Sequence, residues 1–148
     1  MTYPPKDSRL DWRPLCKTGD VDIHTSPLGW KVIGAAIEVH RELGPGLLES
    51  TYDKALAREL RIRCIRFQQQ VAIPAHYKGE SIGVGYRIDY LVEDELIVEI
   101  KANDHLVAVH RAQLRTYLRI LNVRQGLLLN FNLPRLIDGM ASVLLPRP

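Results

Sequence analysis

A short apolar run near the C-terminus constrains the fold of this chain more than any other feature. Residues 126–131 read Gly-Leu-Leu-Leu-Asn-Phe, so apolar side chains occupy successive positions rather than alternate ones. A strand of this kind is buried on both faces, as in a sheet that helices cover on its two sides. The chain is therefore predicted to contain such a sheet, and its 148 residues are enough for one domain with its own core.

Periodic segments upstream of this run predict the rest of the sheet and its helices. The spacing of an amphipathic helix recurs over residues 28–43, 47–61 and 106–121. Strand patterns separated by polar turns cover residues 67–77, 81–92 and 96–101. This order predicts an α/β fold with a small mixed four-stranded sheet flanked by helices, in which the residues after 131 form a tail.

The N-terminal residues 1–27 have no clear periodicity and are rich in proline. They are predicted to form a flexible arm with a short element around residues 10–15, whereas residues 28–148 form the single domain. The chain shows neither the apolar core of a secretory signal nor an apolar stretch of about 18 residues. These features predict a cytoplasmic protein with no membrane partner.

Cysteine content and net charge narrow the classes of function only slightly. Cys16 and Cys64 lie far apart and outside any CxxC pattern, so two reduced thiols are expected rather than a zinc site or a disulfide framework. The net charge of +3 is compatible with a polyanionic partner but does not require one.

The hairpin predicted over residues 81–101 carries charged side chains within otherwise apolar strands. Glu99 and Lys101 share a face of their strand because alternate residues point the same way, and the tight turn allows Asp89 to lie beside Glu99. Two carboxylates inside an apolar sheet repel each other and lose hydration, and a cation such as Mg²⁺ relieves both costs. The alternative is a partly solvated salt bridge between Glu99 and Lys101, with Asp89 exposed.

Two motifs resemble those of a known nuclease family. The Asp89…Glu99-Ile-Lys101 spacing is similar to the metal-binding core of the PD-(D/E)XK nuclease superfamily. The stretch Gly46-Leu-Leu-Glu-Ser-Thr-Tyr52 resembles the signature of the GxxExxY protein family, a branch of that superfamily. The likeness covers residues 32–131, with Ile88 in place of the proline in the superfamily name, and it implies a restriction-endonuclease-like core.

The resemblance also implies roles for individual residues. Asp89 and Glu99 would be ligands of Mg²⁺ or Mn²⁺, Lys101 the catalytic lysine, and Glu49 an additional acid that serves both as metal ligand and catalytic group. From its position alone, Glu49 could instead serve only to favour the helix dipole in the first turn of its helix. Tyr52 shares a helix face with Glu49 and could bind a phosphate, or could simply pack in the core.

The third predicted helix adds further candidates. Gln113 and Tyr117 border its buried face, and the stretch Gln-Leu-Arg-Thr-Tyr resembles the QxxxY motif of exonucleases in the same superfamily, which implies a catalytic contribution. Both could equally be residues at the edge of the core. The opposite side of the helix could follow a phosphate backbone or form a solvated face, since it carries Arg111, Arg115 and Arg119.

These interpretations converge on a metal-dependent enzyme that hydrolyses phosphodiester bonds in nucleic acid, with DNA as the favoured substrate and partner. Two alternatives remain open. One is a catalytically silent nucleic-acid-binding module on the same fold. The other is an interaction protein that forms homo-oligomers or docks onto a protein partner.

Overall fold

The computed structural model describes residues 24–147. The helices are α1 (Pro27–Leu43), α2 (Glu49–Ile62) and α3 (Ala108–Leu121). The strands are β1 (Phe67–Tyr77), β2 (Glu80–Val92), β3 (Leu96–Lys101), β4 (Gln125–Asn130) and β5 (Met140–Leu144). The predicted element at residues 10–15 and Cys16 lie outside the described residues, so the division into an arm and a domain stays a prediction.

Local sequence explains where α1 begins and ends. The Ser26 hydroxyl accepts a hydrogen bond from the Gly29 backbone N–H at 3.0 Å, and Pro27 occupies the first helical position, where its missing N–H costs nothing. At the other end, Gly44 adopts φ +68° and donates its backbone N–H to the His40 carbonyl at 2.8 Å. Glycine reaches this left-handed conformation without strain, so the helix ends there.

Within residues 24–147 the sheet has five strands, in the order β1-β2-β3-β4-β5, whereas the sequence predicts four. Strands β3 and β4 are parallel and are linked through α3, whereas the other neighbouring pairs are antiparallel. The mixed sheet is thus confirmed. The strand that the sequence does not predict is β5, which has only five residues and follows a short 3₁₀ helix (Leu136–Gly139). Its pairing with β4 is a tertiary contact, which local periodicity does not encode.

Two apolar layers enclose the sheet, one between the sheet and α1 and α2, the other between the sheet and α3. Strand β4 contributes to both, because Leu127 and Leu129 pack in the α1–α2 layer while Leu128 packs in the α3 layer. The predicted burial of this strand on both faces is therefore confirmed. Within the described residues, no helix combines the length and the apolarity needed to cross a bilayer.

Candidate functional site

Strands β2 and β3 separate at the point where the two predicted metal carboxylates meet. Their backbone pairing runs from Val92 opposite Leu96 to Tyr90 opposite Val98, and the next positions would be Asp89 and Glu99. At these two positions, hydrogen bonds from the backbone to the Asp89 and Glu99 carboxylates replace the backbone–backbone hydrogen bonds of the strand pair. The Asp89 backbone N–H donates to Glu99 Oε1 at 3.1 Å, and the Ile100 backbone N–H donates to Asp89 Oδ2 at 2.8 Å. Each carboxylate thus satisfies a backbone donor that the ladder would otherwise bind.

This arrangement makes Glu99 an unusual acid. Its side chain is only 6% exposed, and burial together with the neighbouring Asp89 carboxylate raises the pKa of Glu99 to about 8. Two adjacent carboxyl groups resist simultaneous ionisation when little water reaches them. The site would therefore gain from a cation that lies close to both carboxylates.

Lys101 is the last residue of β3 and is half-buried. Its positive charge partly offsets the rise in pKa of both Glu49 and Glu99, which places all three side chains within electrostatic reach. Among residues 24–147 the close ion pairs involve surface arginines, and none includes Glu99 or Lys101. The alternative of an ordinary salt bridge between Glu99 and Lys101 is not what the structure shows.

Glu49 approaches Asp89 across a small cavity between α2 and the sheet. The cavity has a volume of about 220 Å³ and is lined by Glu49, Ser50, Asp53, Gln70, Asp89 and Ile100. Partial burial raises the pKa of Glu49, with smaller contributions from Asp89 and Asp53. The structure thus brings Glu49 to Asp89, whereas Glu99 contacts Asp89 but does not line this cavity.

Tyr52 has a structural position that explains its spacing from Glu49. Its side chain is fully buried and its ring stacks on Phe131 with 4.7 Å between centroids. The hydroxyl donates to the Gly44 carbonyl at 2.6 Å and accepts from the Leu47 backbone N–H at 3.1 Å. Tyr52 therefore closes the loop that precedes Glu49 and does not line the cavity.

The predicted residues of α3 divide into two groups. Tyr117 is 7% exposed, and burial, followed by the nearby Glu99 carboxylate, raises its pKa. Its ring also packs against Tyr86, with 5.3 Å between centroids. By contrast, exposed side chains that do not line the cavity are found at Gln113, Arg111, Arg115 and Arg119.

Three residues of the cavity region have no counterpart among the sequence-based candidates. Asp53 lies one helical turn after Glu49, and its Oδ1 is buried and has no hydrogen-bond partner among residues 24–147. Gln69 donates its side-chain amide to Asp53 Oδ2 at 3.4 Å, and Gln70 donates to Asp89 Oδ1 at 3.4 Å. The four-residue spacing from Glu49 to Asp53 was a usable signal, since such residues share a helix face.

The donors at this site are carboxylate oxygens, which suit a hard cation such as Mg²⁺. In the part of the chain that the structure describes, no three Asp, Glu, His or Cys side chains form a ready-made metal site. Mg²⁺ commonly keeps several waters and binds one or two carboxylates, and Asp89 and Glu99 are two adjacent ones. The donor chemistry therefore fits Mg²⁺, and Asp89 and Glu99 are the carboxylates that would hold it.

Comparisons with known proteins agree with this fold. A family model described as the PD-(D/E)XK nuclease superfamily matches residues 26–142. The crystal structure of SSO0001 superposes with a TM-score of 0.52 and 18% identity, over 67% of this chain and 50% of that chain. The chain thus spans half the length of that protein, and the similarity concerns the fold alone. No curated protein sequence matches the chain.

Proposed function

This chain belongs to the PD-(D/E)XK nuclease superfamily, and on that premise we propose that it is a metal-dependent nuclease that hydrolyses phosphodiester bonds in nucleic acid, with DNA as the favoured substrate. The observation that carries the proposal is the interlocked pair of Asp89 and Glu99 at the separation of β2 and β3. Burial and mutual repulsion of these acids make a cation favourable there.

Asp89 and Glu99 would hold Mg²⁺ or Mn²⁺, and Glu49 supplies a third carboxylate from the α2 side. When bound, such a cation neutralises charge on the scissile phosphate and lowers the pKa of a bound water. Lys101, within electrostatic reach of Glu49 and Glu99, stabilises negative charge that develops on the phosphate. Tyr117 approaches Glu99 and Asp89 from α3. The exposed Gln113 is given no role in this proposal.

Membership in the GxxExxY branch is part of the same proposal. Each named position of Gly46-x-x-Glu49-x-x-Tyr52 has a physical role. Gly46 adopts φ +93°, which glycine reaches without strain, and donates its N–H to Asn132 Oδ1 at 3.1 Å. Tyr52 fixes the loop at its other end, so that Glu49 opens α2 beside the cavity.

The test is cleavage of supercoiled plasmid, linear duplex DNA, single-stranded DNA and RNA with Mg²⁺ or Mn²⁺. We expect cleavage of a DNA substrate by the parent, abolition by EDTA, and a loss of at least about 100-fold in Glu99→Gln, because the variant removes a charged ligand. Glu95→Gln is the matched control, since it removes an exposed carboxylate from the turn of the same hairpin.

A parent that binds these nucleic acids but cuts none of them in either metal would refute the enzymatic proposal and favour the catalytically silent binding module. Cleavage by Glu99→Gln at the parent rate would refute the assignment of the metal ligands. Mass measurement of the parent in solution would show whether it also forms oligomers.

A further inference from the structure

Gln70 has an unusual backbone conformation at the middle of β1. Its φ is +53°, whereas the strand continues on both sides of it. Non-glycine residues seldom occupy this left-handed region, and they do so where the surrounding structure compensates for the strain. Gln69 pairs with Tyr90 and Val71 pairs with Ile88, so Gln70 lies directly across from Asp89.

The left-handed conformation sends two successive side chains to the same side of the sheet. In a regular strand, Gln69 and Gln70 would point to opposite faces. Here the Gln69 amide donates to Asp53 on α2, and the Gln70 amide lines the cavity beside Asp53. Beyond this point the strand has exchanged faces. Phe67 packs in the α1–α2 layer, whereas Val71 packs in the α3 layer.

The consequence at the site is that Asp89 is held through both of its carboxylate oxygens. Oδ2 accepts from the Ile100 backbone N–H at 2.8 Å, and Oδ1 accepts from Gln70 Nε2 at 3.4 Å. These donors belong to the strands on either side of β2. A carboxylate bound at both oxygens has a fixed plane, which is what a preorganised ligand requires.

We propose that Gln70 is a positioning residue for Asp89, and that the left-handed backbone at Gln70 serves to direct its amide to the Asp89 carboxylate. The catalytic consequence rests on the proposed nuclease function. The effect on Asp89 itself does not, because Ile100 reports on that carboxylate without metal or substrate.

The experiment uses two substitutions of Gln70 and one matched control in the full chain. Gln70→Gly removes the amide and relieves the backbone strain, and Gln70→Asn keeps an amide that is one methylene shorter on a residue that tolerates positive φ. Gln68→Gly is the control, because Gln68 is an exposed residue of the same strand whose amide donates to Asp94 in the distant β2–β3 turn.

The first measurement is amide hydrogen exchange at Ile100 in metal-free protein. We expect faster exchange in both Gln70 variants, because Asp89 no longer holds the Ile100 N–H in place, and no change in the control. The second is the Mg²⁺ concentration for half-maximal cleavage, which should rise about 10-fold in both Gln70 variants. A purely structural role predicts instead that Gln70→Gly, with its strain relieved, exchanges and cleaves like the parent.

The two proposals fail in different ways. Absence of Mg²⁺-dependent cleavage by the parent refutes the nuclease function, and exchange at Ile100 then decides the role of Gln70 alone. Unchanged exchange at Ile100 in both Gln70 variants refutes the positioning role. Faster exchange with an unchanged Mg²⁺ requirement refutes its link to metal binding.

Discussion

At the scale of single residues, Glu99 makes the free energy of unfolding depend on pH. Its pKa of about 8 in the folded chain lies above its ordinary value of 4.5, so the folded state holds this proton more tightly than the unfolded state. The stability that Glu99 contributes is therefore complete below about pH 4.5 and is lost as the pH rises through 8.

Replacing Glu99 by Gln should remove this loss. In metal-free protein, the free energy of unfolding of Glu99→Gln should change little relative to the parent at pH 5 and should exceed it at pH 9, because only the parent must then ionise a buried carboxyl group or keep it protonated against the pH. Urea unfolding with EDTA at both pH values measures this. For the control Glu95→Gln, at an exposed turn position, the free energy of unfolding should differ from that of the parent by the same amount at pH 5 and at pH 9. If Glu99→Gln were less stable than the parent at pH 9, the claim that burial and the Asp89 carboxylate disfavour ionised Glu99 would be refuted.

The Tyr52 hydroxyl offers a second prediction at this scale. Tyr52→Phe keeps the stacking on Phe131 but leaves the Gly44 carbonyl and the Leu47 N–H without their buried partner. We expect a loss of about 1–2 kcal/mol in the free energy of unfolding, together with reduced cleavage, because the loop before Glu49 loosens. Tyr77→Phe is the control, since Tyr77 is 63% exposed at the end of β1. Equal stability of the two variants would contradict the role given to this hydroxyl.

The candidate residues show which parts of a site can be inferred from sequence. Asp89 and Glu99 follow from strand alternation and a tight turn, which bring neighbours across a hairpin together. Gln70 could not be found in this way. Its contribution depends on a left-handed backbone in mid-strand, and strand propensity predicts the opposite. Its amide contacts Asp89 on another strand, and no local pattern encodes that contact.

At the scale of elements, two glycines test how α3 and α1 are packed. A Cβ on Gly126, at the start of β4, would lie 2.7 Å from a Leu114 methyl group of α3. A Cβ on Gly34 of α1 would instead have the Arg63 guanidinium, at 3.4 Å, as its nearest neighbour among the described residues. Gly126→Ala should therefore lower the free energy of unfolding by about 1–3 kcal/mol through overpacking. Gly34→Ala should leave it unchanged or raise it by up to about 1 kcal/mol, because alanine favours a helix.

Thermal and urea unfolding of both glycine variants checks this contrast. Both substitutions add the same methyl group, so a decrease in the free energy of unfolding for one and no decrease for the other must come from the packing around each glycine. A neutral Gly126→Ala would mean that α3 does not rest against the start of β4.

The elements themselves were predictable in proportion to their length and regularity. All three helices and strands β1 to β4 begin and end within two residues of the predicted positions, because each carries an apolar pattern of its own, either a period or, in β4, a continuous run. Strand β5 lies in the segment that the sequence predicts to be a tail. Its five residues at the edge of the sheet become a strand only by pairing with β4, so the decisive information lies in another element of the sheet.

At the scale of the whole molecule, the proposed metal couples to folding. A cation that binds the folded chain and not the unfolded one stabilises it by an amount that grows with the ratio of its concentration to its Kd, about 1.4 kcal/mol at a tenfold excess. For a chain of this size, that corresponds to a rise of roughly 3–5 °C in Tm. Mg²⁺ should produce such a rise in the parent at pH 8.

The same coupling predicts a dependence on pH that no nonspecific salt effect shares. Because the pKa of Glu99 is about 8, protons compete with the cation for this carboxylate, and binding of Mg²⁺ must release a proton at lower pH. The rise in Tm should therefore shrink between pH 8 and pH 6 in the parent, and should be absent at both pH values in Asp89→Asn. Thermal unfolding with MgCl₂, against NaCl at equal ionic strength, measures this. If Mg²⁺ raised the Tm of Asp89→Asn as much as that of the parent, the cation would bind elsewhere on the molecule, and the proposed metal site would be refuted.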